Sequence, residues 1–488
     1  MIEATHQESR RGLLAGAIGF GGDFIASLAC SGPTTGVAYT LATLLAISGL
    51  ASPLVVLTGG IVVLLVAVGY ARLNRWRADA GAPYIWVGRT IAPPIGFAVG
   101  MLAIAIGFLV NIGNITLAGS YLLSIVSPGT VFPGIIIWIV ASLYMAAVIF
   151  LAVRGIRPSI RVQTTILIAE YAIVLSFAIL ALLHELGSNA PGVSAPSLSY
   201  FSIGSSPNGW TGFATALVIG GFLFGGWEAP LLFSEESKNP NFSPGRAAIV
   251  GVLSALVWYL LLFVIFQGVA SPANIEAHGA DVLGYASTIL APDPWARFLP
   301  LAVFSALFAA TQMQLTEASR VMFAMGQDRV LPRFVAKLHP RFRTPWVAAL
   351  ILGILPPLVL IPYLISSEAI TVIGDIVGSV GLLYLAMYTI IPLACVVFFF
   401  RALRGRSSEV PTIVATFIGG ATMLFLLAWG FHTQPAAAAI VGGIALAICL
   451  ISGFIAAMFS KSDFFRSRPI DLTADARPAP GVDVTRQP

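Results

Sequence analysis

"GGFLFGGWEAPLLFSEESKNP", residues 220–240, closes an apolar run long enough to cross a membrane, yet places Gly225, Gly226, Glu228 and Pro230 within six positions. Glycine and proline are the poorest helix formers. A carboxylate at mid-bilayer costs about 2.5–3.5 kcal/mol even on the lenient insertion scale. The setting makes the stretch a problem of membrane chemistry. Of 488 residues, 58% are hydrophobic and 10% charged, and mean hydropathy is +0.92. A soluble domain carries charge on about a quarter of its residues, so the composition requires a polytopic membrane protein.

Apolar segments of the length that crosses about 30 Å of hydrocarbon recur twelve times. They fall at 13–47 (long and interrupted), 50–71, 94–126, 132–153, 159–183, 211–233, 247–270, 295–325, 345–364, 368–400, 411–431 and 436–459. Residues 1–11 are short and polar, and the run that follows is too long for a signal core, so it is expected to stay as the first span. Alternating the connections places every one of the 26 lysines and arginines except Arg297 on the side of both termini. By the positive-inside rule that side is cytoplasmic. This pattern explains the pI of about 9.2 without a nucleic-acid partner, because the basic residues form no single patch.

The anomaly of span 6 has a counterpart five spans earlier. Span 1 contains "LACSGPTTGVA", residues 28–38, with Gly32, Pro33 and Gly36 among hydroxyl side chains. Two interrupted spans at corresponding places point to inverted repeats around a midplane binding site. Five is odd, so the two copies enter the membrane from opposite sides. The expected organisation is a cytoplasmic N-terminus at 1–11, a first repeat at 12–185, an outer loop at 186–210 and a second repeat at 211–400. Two accessory helices at 401–460 and an irregular, Pro-rich cytoplasmic tail at 461–488 complete it.

A break in hydrocarbon is tolerated only where protein, water or ligand satisfies the freed backbone groups. A half-helix starting near Gly36 turns its amide end toward an anion, and unwound carbonyls accept an ammonium group or a cation. An α-amino acid offers both charges. The plainer alternative is that glycine and proline only kink these helices or let them pack closely.

"GGFLFGGWEAPLLFSEESKNPNFSPGRA" resembles the sixth-span signature of the amino acid, polyamine and organocation transporter superfamily. "ASRVMFAMGQDRVLPRFVAKLHPRFRTPWVAAL", residues 318–350, resembles its connection after span 8, and "AGAPYIWVGRTIAPPIGFAVG", residues 80–100, its approach to span 3. The resemblance covers about residues 12–460. It implies an all-α polytopic fold of twelve transmembrane helices, a five-plus-five inverted repeat of LeuT-like type with two further C-terminal helices. In span 1 the superfamily's usual Gly-x-Gly is replaced by Ser31-Gly32-Pro33-Thr34-Thr35-Gly36.

The substrate-binding candidates are Ser31, Gly32, Thr34, Thr35 and Gly36 at the first break, and Phe222, Phe224, Gly225, Gly226 and Trp227 at the second. Asn111 of span 3 joins them. Phe222 matches the superfamily's gating aromatic. Glu228 matches a glutamate implicated in proton-sensitive gating, with a helix-start acid as the alternative. Glu170 in span 5 stands where proton-coupled relatives carry a lysine, and is either a coupling carboxylate or a structural one. Asp23 and Asp375 are gate candidates. Ser305 and Thr311 are weak candidates for sodium ligands. Asn114 and Gln312 are expected to hydrogen-bond between helices, and Glu317 with Arg320, three apart near a helix end, to form an ion pair.

No cofactor is expected, since the sequence carries no phosphate-binding loop or metal cluster. Cys30, Cys395 and Cys449 read as small buried hydrophobes. The five histidines are dispersed, so an enzyme finds no constellation here. The expected function is a secondary transporter for an amino acid or related amine, coupled to protons or alternatively sodium. A polyamine carrier or a nutrient sensor on the same fold remains open.

Overall fold

The computed structural model describes residues 12–466 except 129, 131, 189, 362–368 and 403–406; the side chains of 369–375, 377, 402 and 407 lie outside the described set as well. The architecture is all helical, with one isolated bridge between Ile18 and Ser237 in place of any sheet among the described residues. In chain order the helices begin with α1 (Phe20–Ser31), α2 (Pro33–Ser48), α3 (Ser52–Trp76), α4 (Ala82–Thr90), α5 (Pro93–Val126), α6 (Gly134–Arg154) and α7 (Ile156–Gly187). Next come α8 (Gly209–Leu223), α9 (Ala229–Leu232), α10 (Ser243–Phe266), α11 (Pro272–Ala277), α12 (Val282–Leu290), α13 (Phe298–Gln327) and α14 (Trp346–Val359). Four more close the chain: α15 (Ala369–Ala402), α16 (Val410–Thr433), α17 (Ala436–Phe459) and α18 (Asp463–Arg466).

Nine apolar helical runs among the described residues are long enough to cross a membrane, and the first, Phe20–Trp76 at 57 residues, is long enough to cross twice. The shorter apolar helices Gly209–Leu223 and Trp346–Val359 occupy spans 6 and 9. With them the twelve-span, all-α polytopic fold is complete. The 34 residues of α5, at 1.5 Å each, exceed the hydrocarbon thickness, and such a helix crosses with a tilt.

The packing follows the two-fold relation that an inverted repeat requires. The most extensive contact joins α5 to α13, followed equally by α3 with α10 and α15 with α16; the first two are spans 3 with 8 and 2 with 7, each pair five spans apart. The first broken span packs against the second through α2 with α8 and α1 with α9. Span 1 lies on span 7 through α1 and α10, and its counterpart, span 6 on span 2, through α8 and α3.

Glycines make the close approaches that membrane helices need, because lipid offers no hydrophobic drive between them. A Cβ on Gly96 of α5 would collide with the backbone of Gly88 on α4, and one on Gly453 of α17 with the Pro94 carbonyl.

Span 6, at 211–233, was expected to break at Gly225–Glu228 and to resume as an inner half-helix at Glu228 and Pro230. In the structure α8 stops at Leu223 and the helix resumes for one turn only at α9. The tail expected from 461 begins with a helical turn, α18, because its Phe464 is buried and stacks on Tyr84 of α4 with centroids 4.4 Å apart. The remainder, 467–488, and the N-terminal 1–11 lie outside the described residues.

Gly96→Ala is therefore expected to destabilise the protein by about 1–3 kcal/mol, the usual cost of overpacking. Gly443→Ala, whose Cβ meets only the Phe431 ring at 3.5 Å, should leave stability within about 0.5 kcal/mol of the parent. Thermal unfolding of the two detergent-solubilised variants checks this, and equal midpoints would refute the close-contact account.

Candidate functional site

Span 1 breaks at one residue. Gly32 adopts φ 50°, ψ 66°, a left-handed conformation that ends α1, and Pro33 occupies the first turn of α2, where its missing N–H costs nothing. Span 6 breaks more widely. Between Leu223 and Ala229 the chain turns through Gly226 at φ +89°, and Pro230 sits in the first turn of α9.

The two breaks face each other and are stapled by side chains. The Ser27 hydroxyl donates to the Trp227 carbonyl at 2.8 Å. The Tyr259 hydroxyl of α10 donates to the Leu223 carbonyl at 2.6 Å and stands 3.3 Å from that of Ser31. A Cβ on Gly226 would fall 2.8 Å from the Cys30 carbonyl oxygen, and one on Gly36 would strike the Tyr259 ring. Only glycine lets these backbones come so close.

A small cavity lies between the breaks, with about 30 Å³ open to the centres of water-sized spheres, room for about two waters. Of the predicted set, Ser31, Thr35, Gly36, Phe222 and Gly225 line it. Phe222 meets Tyr39 edge to face at 5.5 Å, and the Tyr39 hydroxyl donates to Asn114 Oδ1 at 3.1 Å. Gly32, Thr34, Phe224, Gly226 and Trp227 are packed behind the lining, Phe224 against the Tyr259 ring and Trp227 against Tyr70. Asn111 is buried but does not reach the cavity. Its neighbour one turn on, Asn114, does, because Val110 and Asn114 share the inward face of α5.

The site is rich in buried polar atoms that no protein group satisfies. Thr34 Oγ1, Thr35 Oγ1, Asn111 Oδ1, Asn114 Nδ2 and Trp227 Nε1 have no partner. Most such atoms are paired in folded proteins, so their concentration here marks where a ligand or water is accommodated. The first-turn amides of Thr34 and Thr35 also lack partners within the helix.

The carboxylates fall into three groups. Asp23 accepts from the Ser237 and Ser243 hydroxyls at 2.6 and 2.5 Å. Glu228 accepts from the Tyr388 hydroxyl at 2.9 Å. Glu170, 1% exposed, lies within reach of the Thr34 hydroxyl, yet neither of its oxygens makes a hydrogen bond. Asp375 lies on α15, with its side chain outside the described residues. Ser305 and Thr311 turn their hydroxyls to carbonyls of their own helix, at 2.8 and 2.6 Å, and Thr311 also meets Tyr144. Neither lines the cavity between the breaks.

The expected Glu317–Arg320 pair does not form. Arg320 reaches across to Glu236 at 3.0 and 3.2 Å, with both side chains 1% exposed, while Glu317 accepts from Gln314 Nε2 at 2.5 Å. Spacing along one helix loses here to an acid from another segment. Gln312 forms the expected interhelical bonds, accepting from Gln163 at 2.8 Å and donating to Ser159 at 3.0 Å.

The N-terminal segment is anchored to the chain beyond the second break. Ile18 exchanges backbone hydrogen bonds with Glu236 and Lys238, and Leu13 is buried with Ala80 and Phe323.

The lining residues not placed in the site from sequence include Cys30, Tyr39, Gln314 and Tyr384. Their signal was weak. A tyrosine in an apolar span, as in "LVWYLLLF" around Tyr259, shows only that its hydroxyl needs a partner. Removing that hydroxyl in Tyr259→Phe leaves the Leu223 carbonyl unpaired, an expected loss of about 1–3 kcal/mol. Thermal unfolding should show it, and an unchanged midpoint would mean the break does not depend on Tyr259.

An amino acid permease family model matches residues 24–455 of the chain. The chain is 31% identical to the glutamate/serine transporter AimA of Bacillus subtilis (strain 168), over 29% of this chain and 27% of that protein. It is 25% identical to the methylthioribose transporter of the same organism, over 69% of this chain and 71% of the relative. To the low-affinity putrescine importer PlaP of Escherichia coli (strain K12) it is 23% identical, over 65% and 69% respectively. The family match runs from within the first broken span into the last long helix, and the chain belongs to the amino acid permease family.

Proposed function

We propose that the protein is a secondary active transporter that moves an amino acid or related amine across the cell (inner) membrane by alternating access. The observation that carries this reading is the small cavity between two facing breaks, with the unsatisfied polar atoms of Thr35 and Asn114 in its lining. The first-turn amides at Thr34 and Thr35, with the positive end of α2, suit a carboxylate. Freed carbonyls around Ser31 and Gly225 suit an ammonium group. Phe222 and Tyr39 close the cavity on the side of α2 and α8. The family match and relatives named for amino acids and for putrescine support the substrate class.

With the basic face cytoplasmic, both termini lie inside, and release inward requires the N-terminal segment to part from Glu236 and Lys238. Glu170 is the coupling group in this reading. Its carboxyl lies buried beside the first break with no hydrogen bond to hold a charge. Binding a proton neutralises it where a bound cation otherwise would.

Uptake of radiolabelled amino acids and amines into proteoliposomes tests the function. At least one is expected to accumulate under an imposed inward proton gradient. Glu170→Gln should reduce gradient-driven accumulation at least about tenfold while substrate exchange between the two sides persists, since only the coupled step is removed. Accumulation that requires sodium and ignores the pH gradient would sink the coupling assignment. A broad panel in which nothing moves would sink the transport reading itself.

A further inference from the structure

Behind the cavity wall stand two buried carboxyls with no basic side chain between them. Glu228 lies at the second break and Glu317 on α13, and the two are near enough to interact electrostatically. Both lie within electrostatic reach of Cys30, Tyr70 and Tyr384. The Tyr388 hydroxyl donates to Glu228, which the backbone N–H groups of Gly226 and Glu228 also serve, and the Gln314 amide donates to Glu317, beside the Cys30 thiol. Glu317 Oε2 has no partner, although the residue is only 5% exposed.

The surrounding elements supply no compensating cation. Cys30 comes from α1, Tyr70 from α3, and Tyr384 and Tyr388 from α15. Helix α5, the most extensive neighbour of α13, has no Asp, Glu, Lys, Arg or His anywhere in its sequence. Arg320, nearly one turn along α13, is committed to Glu236. Two carboxylates in so desolvated a shell cannot both keep their charge unless a cation joins them.

Gln314 lies between the cavity and the acids. It lines the cavity, its Oε1 accepts from the Cys30 thiol at 3.4 Å, and its amide donates to Glu317 as an ammonium would. Aromatic rings enclose the same place. Tyr70 and Trp227 lie 4.9 Å apart, Trp227 and Tyr388 5.8 Å, and Tyr384 and Tyr388 5.5 Å. Ring faces of this kind attract organic cations.

We propose that Glu317, together with Glu228, forms a subsite for a primary ammonium at the end of an alkyl chain, so that the preferred substrates carry a second positive charge. The substrate's ammonium replaces the Gln314 amide as donor to Glu317. This rests on the transporter reading above and narrows its substrate class to basic amino acids and diamines.

The test is equilibrium binding to purified full-length protein, using L-lysine, L-ornithine, putrescine and L-norleucine, the last matching lysine in chain length without its terminal ammonium. Lysine or ornithine is expected to bind at least about tenfold more tightly than norleucine, and Glu317→Gln to remove most of that difference while norleucine affinity stays within about twofold. Putrescine binding without either amino acid would place the ammonium subsite in a diamine carrier and support it equally. Equal wild-type affinities for lysine and norleucine would overturn the proposal. So would a Glu317→Gln effect confined to the pH dependence of uptake, which would make the pair a proton carrier. The wild-type comparison decides the matter even where the variant fails to fold. If no amino acid or amine in a broad panel binds or moves, the transporter reading fails and this subsite fails with it; if neutral amino acids alone are moved, only the subsite fails.

Discussion

Every backbone amide and carbonyl released inside hydrocarbon must find a partner within the protein or its ligand. That constraint organises the centre of this molecule. Breaking spans 1 and 6 releases groups at Ser31–Gly32 and at Leu223–Glu228, and four features absorb them: the hydroxyls of Ser27 and Tyr259, the approach of Gly226 to Cys30, and a cavity with polar walls. The two breaks have to face one another because each supplies part of the other's environment. The five-span offset is the consequence in topology, since only a two-fold relation brings both breaks to one depth.

The buried acids are satisfied to different degrees, and the difference separates their roles. Asp23 and Glu236 are fully engaged by hydroxyls or by a guanidinium and act as fasteners. Glu228 is held by the Tyr388 hydroxyl and backbone N–H groups of its own break, and Glu317 by the Gln314 amide with one oxygen left unpaired. Glu170 has no hydrogen bond. An uncompensated carboxyl is expensive to bury, so the least satisfied acids are the ones that packing alone does not explain.

The spans were legible in the sequence because length and hydropathy are collective properties of about twenty residues, and both breaks were legible because Gly-Pro and Gly-Gly leave few helical options. The extent of the second break was not, since "WEAPLLF" is apolar enough to continue a helix and stops only because Phe233–Ser237 is drawn toward α1 and α13. Side-chain partners were legible only where one helix determines them. Glu317 and Arg320 have helical pairing distance, yet Arg320 takes Glu236 from another segment, a choice invisible to local spacing. Asn111 and Asn114 show the same limit in rotation: three residues apart on α5, one enters the cavity and the other does not.

The fasteners also determine which parts can move together. Asp23 with Ser237, Ser27 with Trp227, and Ile18 with Glu236 and Lys238 tie α1 to the inner half of span 6, and Ser243 ties both to α10. Four of the polar links described here join this unit to the remaining core: Arg320 with Glu236, Tyr388 with Glu228, the Cys30 thiol with Gln314, and the Tyr259 hydroxyl with the Leu223 carbonyl. Because α9 is a single turn, its position depends on these links more than on its own helical hydrogen bonds. Any displacement of α1, α9 and α10 as one body would have to break these links, among them those to the acids Glu236 and Glu228. The second of those acids borders the cavity wall. The Cys30–Gln314 link is made in the cavity lining itself, so whatever fills the cavity and the hold on α1 share a wall.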